Sequence, residues 1–173
     1  NPGLRVTSIE SGDKKLDFKQ LYNIIEIDPP RSLAPGERDS LVISYSGTIT
    51  EAFCYPNYSE NRKETPYRID MLNVNKRQAF LTKKYVLLTP ESHWYPVPGL
   101  NYYPSNPARI KVDFTRYNLR VKTESGLTPV SQGIMKNENG TFVFAPEAPL
   151  TGLTLAIGDY RSDTLKVDSV KYI

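Results

Sequence analysis

The stretch Ala108-Arg109-Ile110-Lys111-Val112-Asp113-Phe114-Thr115-Arg116 alternates apolar and polar side chains with a period of two. Ile110, Val112 and Phe114 fall on one side, and Arg109, Lys111, Asp113 and Thr115 on the other. Successive side chains of a strand point to opposite faces, so the pattern predicts a strand with one dry face and one wet face. Just before it runs Ser92-His93-Trp94-Tyr95-Pro96-Val97-Pro98-Gly99-Leu100-Asn101-Tyr102-Tyr103-Pro104. Pro96, Pro98, Pro104 and Pro107 exclude a helix there, because each removes a backbone N–H and clashes with the preceding turn. A rigid aromatic loop leading into a half-buried strand is the most specific feature of the chain.

Working outward, the same two signals recur: short alternating runs and turn residues between them. Leu4-Arg5-Val6-Thr7-Ser8-Ile9 reads as a first strand, ended by Ser11-Gly12-Asp13. Leu16 to Ile27 fits two periods. Phe18, Leu21, Tyr22 and Ile25 make a helical stripe, whereas Leu21, Asn23, Ile25 and Ile27 make one strand face; the Ile24-Ile25 pair favours strand. Leu33-Ala34-Pro35-Gly36-Glu37 is a turn. Asp39 to Thr50 reads as one long strand, with Gly47 marking a bulge or a close backbone approach. Around residues 51–78 the pattern fails, which predicts an irregular insertion with a weak helical signal near Tyr67–Asn73.

Strand candidates resume at Ala79-Phe80-Leu81 and Tyr85-Val86-Leu87-Leu88, and again at Leu119-Arg120-Val121-Lys122 and Pro129 to Met135. Asn139-Gly140 separates Gly133–Lys136 from Thr141–Phe144, a strong hairpin signal because both turn positions tolerate positive φ. Leu153–Ile157 and Leu165–Val170 close the chain, joined by a turn around Arg161-Ser162-Asp163. About ten short strands without a long helix predict an all-β protein, an antiparallel β-sandwich formed by residues 1–173 as a single domain.

Composition excludes several classes. The 22 basic and 19 acidic residues leave a net charge of +3 with no basic block, so the footprint of a nucleic-acid binder is missing. No run reaches the ~18–20 apolar residues of a membrane-spanning helix. The chain opens at Asn1-Pro2 and stops at Tyr172-Ile173 within a strand pattern, which suggests a piece of a longer protein. The single histidine, His93, and the single cysteine, Cys54, are too few for a zinc site, which draws three or four ligands. Ser92 and His93 are neighbours and face opposite ways on an extended chain, so they make no catalytic pair. No glycine-rich loop followed by Lys-Ser or Lys-Thr is present to cradle a phosphate. Glu91 is the one acid beside the aromatic loop. Trp94, Tyr95, Tyr102 and Tyr103 fit either a sugar-stacking platform or the packed edge of a sheet. Asn57-Tyr58-Ser59 and Asn139-Gly140-Thr141 match the glycosylation acceptor pattern, a triplet common by chance.

Tyr85-Val86-Leu87-Leu88-Thr89-Pro90-Glu91-Ser92-His93-Trp94-Tyr95-Pro96, followed by Pro107–Phe114, resembles the N-terminal β-domain of gluzincin aminopeptidases, the aminopeptidase N family, in its bacterial membrane-linked branch. The resemblance extends to the opening strands, to Leu33–Glu37 before Leu41–Gly47, and to the closing strand pair; it omits about residues 55–75. It implies a saddle-like β-sandwich packed on a thermolysin-like catalytic domain beginning after Ile173. That domain would carry zinc on His-Glu-x-x-His and a Gly-x-Met-Glu-Asn motif, neither of which occurs in these 173 residues. The resemblance further implies a membrane-linked parent that acts on peptides, and a fragment without catalysis, cofactor or membrane span of its own. The family's loop before the organising strand approaches the substrate cleft, which points to Thr89–Glu91 and, within it, to Glu91. The family's Arg-x-x-x-Pro is here His93-Trp94-Tyr95-Pro96, a departure that weakens the carry-over. A carbohydrate-binding or adhesive β-sandwich built on Trp94, Tyr95, Tyr102 and Tyr103 is the alternative, since fold alone does not decide function.

Overall fold

The computed structural model describes residues 1–21, 24–28, 31–53, 76–98, 113–160, 163, 165–168 and 170–172. Among them are sixteen strands and no α-helix. The protein is all-β, as its alternation predicts. Two compact units form, one from Asn1–Ala79 with Thr89–Val112, the other from Phe80–Leu88 with Asp113–Ile173.

In the first unit, β1 (Leu4–Ser11) is the central strand. It pairs antiparallel with β2 (Lys14–Lys15) across the Gly12 turn and with β5 (Val42–Gly47) on its other edge. Ile9 projects inward and is 1% exposed. The Leu16–Ile27 run settles as strand, but as two: β3 (Phe18–Leu21) and β4 (Ile24–Ile27) pair as a hairpin. On the edge of β1 that faces away from β5, where no strand among the described residues pairs with Leu4–Val6, the Gln20 carboxamide replaces one. Its Nε2 donates to the Leu4 carbonyl at 2.8 Å, and its Oε1 accepts from the Val6 amide at 2.9 Å. This satisfies backbone groups that would otherwise lie open beside the hairpin.

The predicted insertion has ordered flanks. β6 (Ala52–Phe53) pairs with β7 (Lys76–Arg77), and Arg77 closes on Glu51 at 3.0 Å. Residues 54–75, with Cys54, the Asn57 triplet and the expected Tyr67–Asn73 helix, lie outside the described residues.

β8 (Ala79–Leu81) and β9 (Tyr85–Leu88) are joined through the Thr82–Tyr85 turn, and the second unit takes in their residues from Phe80 onward. Three more strands follow: β10 (Leu119–Val121), β11 (Thr128–Ser131) and β12 (Ile134–Glu138). β13 (Thr141–Ala145), β14 (Leu155–Gly158), β15 (Leu165–Val167) and β16 (Val170–Tyr172) complete the chain. One sheet has the order β11-β14-β9-β8 and another β10-β13-β12. Pro129 occupies β11 at a sheet edge, where a missing N–H breaks no ladder. The Asn139-Gly140 hairpin forms as predicted, with Asn139 at φ 52° and Gly140 at φ 82°, both left-handed as a type I′ turn requires.

β13 separates two environments. Phe144 faces Leu119 and Met135, and Phe142 faces Val121; Phe144 is 1% exposed. On the other face Arg120 lies opposite Val143 and reaches Glu138 at 2.8 Å. That ion pair runs diagonally over β13, on the face of Val143, which is buried.

Two strand expectations are corrected. The Ala108–Arg116 strand is not found over its described part: Asp113 to Arg116 makes a single bridge, Thr115 to Leu150, and Phe114 is 74% exposed rather than dry. Local alternation permits a strand, but only a neighbour with open hydrogen-bonding groups makes one. The Leu165–Val170 run turns back at Asp168, φ 53°, and becomes the β15–β16 hairpin. Asp tolerates the left-handed region, so an apparent strand residue serves as a turn.

Gly47 ends β5 opposite Leu4, at φ 143°. A Cβ there would overlap the Gly3 carbonyl oxygen, so the glycine marks a close backbone approach. The bulge lies elsewhere, in β1 between Val6 and Ser8. Gly36 also has positive φ, but a Cβ there would meet nothing within 4 Å. Gly47→Ala should therefore cost about 2–3 kcal/mol, against about 1 kcal/mol for Gly36→Ala. Urea titrations of the two variants check this; equal losses would remove the close approach as the cause.

Candidate functional site

The loop that the sequence singles out starts with a short, well-braced turn. Pro90 presets φ at its first position, and Pro90–Ser92 forms one 3-10 turn. The Ser92 and His93 amides donate to the carbonyls of Thr89 and Pro90, each at 3.0 Å. The Ser92 hydroxyl donates to the Thr89 carbonyl at 2.7 Å, and Ser92 is fully buried. It is thus a structural hydroxyl with no access to a substrate. His93 ends the turn in the left-handed region, φ 50° and ψ 45°. Thr89 ties the turn back through its hydroxyl to the Gln78 carbonyl at 3.1 Å.

The turn is anchored by a residue that sequence reasoning missed. Asn1 is 8% exposed, and its carboxamide uses all its hydrogen-bonding capacity. Nδ2 donates to the carbonyls of Ser92 at 2.8 Å and Thr50 at 3.1 Å. Oδ1 accepts from the amides of Thr50 at 2.9 Å and Gly3 at 3.0 Å. The Asn1 amino group donates to the His93 carbonyl at 2.6 Å. Three segments remote in sequence meet on this one side chain. No periodic or spacing signal announces such a junction.

His93 packs its ring on Phe53, 6.2 Å between centroids and tilted by 57°. Burial lowers its pKa, and Glu91 opposes that shift. The ring is therefore neutral near pH 7. Glu91 is solvent-exposed at the middle of the turn. Trp94 and Tyr95 follow, half-buried and edge to face at 4.8 Å and 81°. Two rings at that angle offer no shared flat surface for a sugar. The Trp94 carbonyl accepts from the Tyr45 hydroxyl at 3.2 Å, and burial raises the Tyr45 pKa, which keeps that donor protonated. Of the five residues expected at the site, Glu91, Trp94 and Tyr95 share this loop; Tyr102 and Tyr103 lie outside the described residues.

One exposed carboxylate can accept a cationic group, and two aromatic side chains offer apolar surface. Among the described residues no group of three or more His, Cys, Asp or Glu could hold a metal ion. No helix among them is long and apolar enough to cross a membrane.

No family model and no curated protein matches the sequence. Solved structures match by fold. An M1 zinc metallopeptidase from Deinococcus radiodurans aligns with a TM-score of 0.61 at 17% identity, over 98% of this chain and 36% of that one. A mutant M1 zinc metallopeptidase from the same organism, bound to a Tyr-Ser-Ala substrate, gives 0.59 at 17% identity over the same shares. A mutant two-domain M1 zinc metallopeptidase bound to L-tryptophan gives 0.60 at 17% identity, again over 98% and 36%. The chain thus shares its fold with part of M1 zinc metallopeptidases and spans 36% of their length. The family resemblance read from Tyr85–Pro96 is matched at the level of fold.

Two outcomes follow from the junction. Asn1→Ala leaves the Thr50 amide and the Ser92 carbonyl without partners and should cost about 2–3 kcal/mol, measured by thermal denaturation. A neutral loss would remove the carboxamide as an anchor. For His93 the folded pKa lies below the unfolded value of 6.5, so the unfolded chain takes up the proton first as pH falls. The stability contributed by the neutral ring is present above that value and is lost on acidification toward the folded pKa. His93→Asn, which suits left-handed backbone, should lose less stability than the parent between neutral and mildly acidic pH. Parallel stability curves for the two proteins would contradict the assignment.

Proposed function

We propose that this chain is the non-catalytic N-terminal β-domain of a zinc aminopeptidase-like protein. Its work is to dock on the catalytic domain of the same polypeptide and to shape the cleft in which a peptide is held. The observation that carries the reading is the fold match, which takes in 98% of this chain and 36% of zinc metallopeptidase chains. A domain of that share leaves room for a catalytic domain in the remainder. The 173 residues contain no His-Glu-x-x-His, so the zinc would be held by that other domain, where it would polarise the scissile carbonyl and activate water.

Exposed apolar side chains on the first unit favour a docking role. Leu41, Val42 and Val97 are 46%, 61% and 55% exposed. Apolar side chains left in solvent mark a surface that meets a partner where they form one contiguous patch. Within the loop, Glu91 is the residue assigned to the cleft, as an acceptor for the substrate's terminal ammonium. Trp94 and Tyr95 hold the loop's shape beside it.

The test uses the full-length protein. Its reading frame should encode His-Glu-x-x-His within about 150 residues, one typical domain, after Ile173. The purified protein should bind zinc and release N-terminal residues from peptides. Glu91→Ala should raise KM about tenfold, the worth of one hydrogen bond to a charged group, and leave zinc content unchanged. A parent without the zinc motif would sink the whole reading, whereas an unchanged KM would remove Glu91 alone from the cleft.

A further inference from the structure

Asn139-Gly140 is the one Asn-Gly pair in the sequence, and it sits at the exposed tip of the β12–β13 hairpin. Such a pair is chemically labile. The Gly140 backbone nitrogen, after losing its proton to solvent, can attack Asn139 Cγ. The N–Cγ bond forms, the Cγ–Nδ2 bond breaks, and ammonia leaves with a proton from water. A succinimide ring results, and water then opens either carbonyl to give aspartate or isoaspartate. Glycine at the second position offers no side chain to hinder the attack, and solvent reaches Asn139 freely.

In the folded protein that nitrogen is engaged elsewhere. The Gly140 N–H donates to Asn137 Oδ1 at 2.9 Å. Asn139 and Gly140 are both in the left-handed region, and cross-strand pairing from Glu138–Thr141 to Ile134–Ala145 holds them there. Ring closure requires this bond to break and the Gly140 nitrogen to swing onto Asn139 Cγ. We propose that Asn139 is the chain's site of spontaneous succinimide formation, and that the Asn137 carboxamide guards it by holding the attacking nitrogen. The guard is local, since Asn137 lies on the same hairpin two residues before the labile one. Its failure has a structural consequence. An isoaspartate lengthens the backbone by one methylene inside a two-residue turn, and the register of β13, which carries buried Val143 and Phe144, depends on that turn.

The experiment incubates the intact protein in mildly alkaline buffer and follows Asn139 by peptide mapping with mass spectrometry. Asn137→Ala should speed deamidation at Asn139 about fivefold, the factor one ordinary hydrogen bond represents. Asn137→Asp keeps an acceptor oxygen at the same place and should stay near the parent rate. Val143→Ala, which loosens the strand without touching the guard, controls for general instability and should accelerate the reaction less than Asn137→Ala. A short peptide spanning Asn137 to Val143 should react faster than the folded protein. An Asn137→Ala rate equal to the parent's, or matched by Val143→Ala, would overturn the proposal, as would equal rates in peptide and protein.

Discussion

The carboxamide of Asn1 is the contact on which the candidate loop depends. It pairs two amides and two carbonyls from segments that no local rule brings together: Gly3, Thr50 and Ser92. Backbone polar groups removed from water must be paired, and here one side chain does so for three crossing segments at once. The turn at Pro90–Ser92 keeps its place because its last carbonyls are spoken for. His93, Trp94 and Tyr95 follow that turn half-buried, and Glu91 is left in solvent. The same solution recurs at Gln20, whose carboxamide pairs with the backbone of β1 where no strand among the described residues does. In this chain amide side chains complete ladders that short strands leave unfinished.

That economy of pairing explains the many short strands. Sixteen strands among the described residues average only a few residues each, and β1, β5, β12, β13 and β15 end at a left-handed residue or a proline. Hairpins satisfy their backbone locally, so a chain can be all-β without long ladders. The cost is thin coverage. Ile9, Phe53 and Ala79 are buried in the first unit and Phe144, Val143, Val121, Leu153 and Leu155 in the second, while Leu41, Val42 and Val97 of the first and Phe114, Ile134 and Leu165 of the second remain exposed. The fold itself is shared with part of M1 zinc metallopeptidases.

The candidate loop was partly legible beforehand. Pro90 and the aromatic run predicted a stiff, non-helical segment, and the structure has a braced 3-10 turn followed by an edge-to-face Trp94–Tyr95 pair. Glu91 stood out as the only acid beside it and is indeed in solvent. The partners of the loop were invisible. Asn1 lies more than ninety positions from His93, yet its amino group and His93 carbonyl are 2.6 Å apart. Phe53, on which His93 packs, carries no local signal either. Such contacts follow from the path of the whole chain.

Local physics decided the secondary-structure class. Alternation with a period of two, prolines that forbid helix, and Asn-Gly with its tolerance of positive φ are properties of a few adjacent residues, and they held at β1, β9 and the β12–β13 hairpin. Tertiary structure decided which alternating runs became ladders. Phe114 alternates correctly yet is exposed, and the Leu165–Val170 run folds back at Asp168, because a strand exists only where a second strand offers its hydrogen-bonding edge. Periodicity resides in one segment, whereas pairing requires two segments to meet, and their meeting is a property of the folded chain.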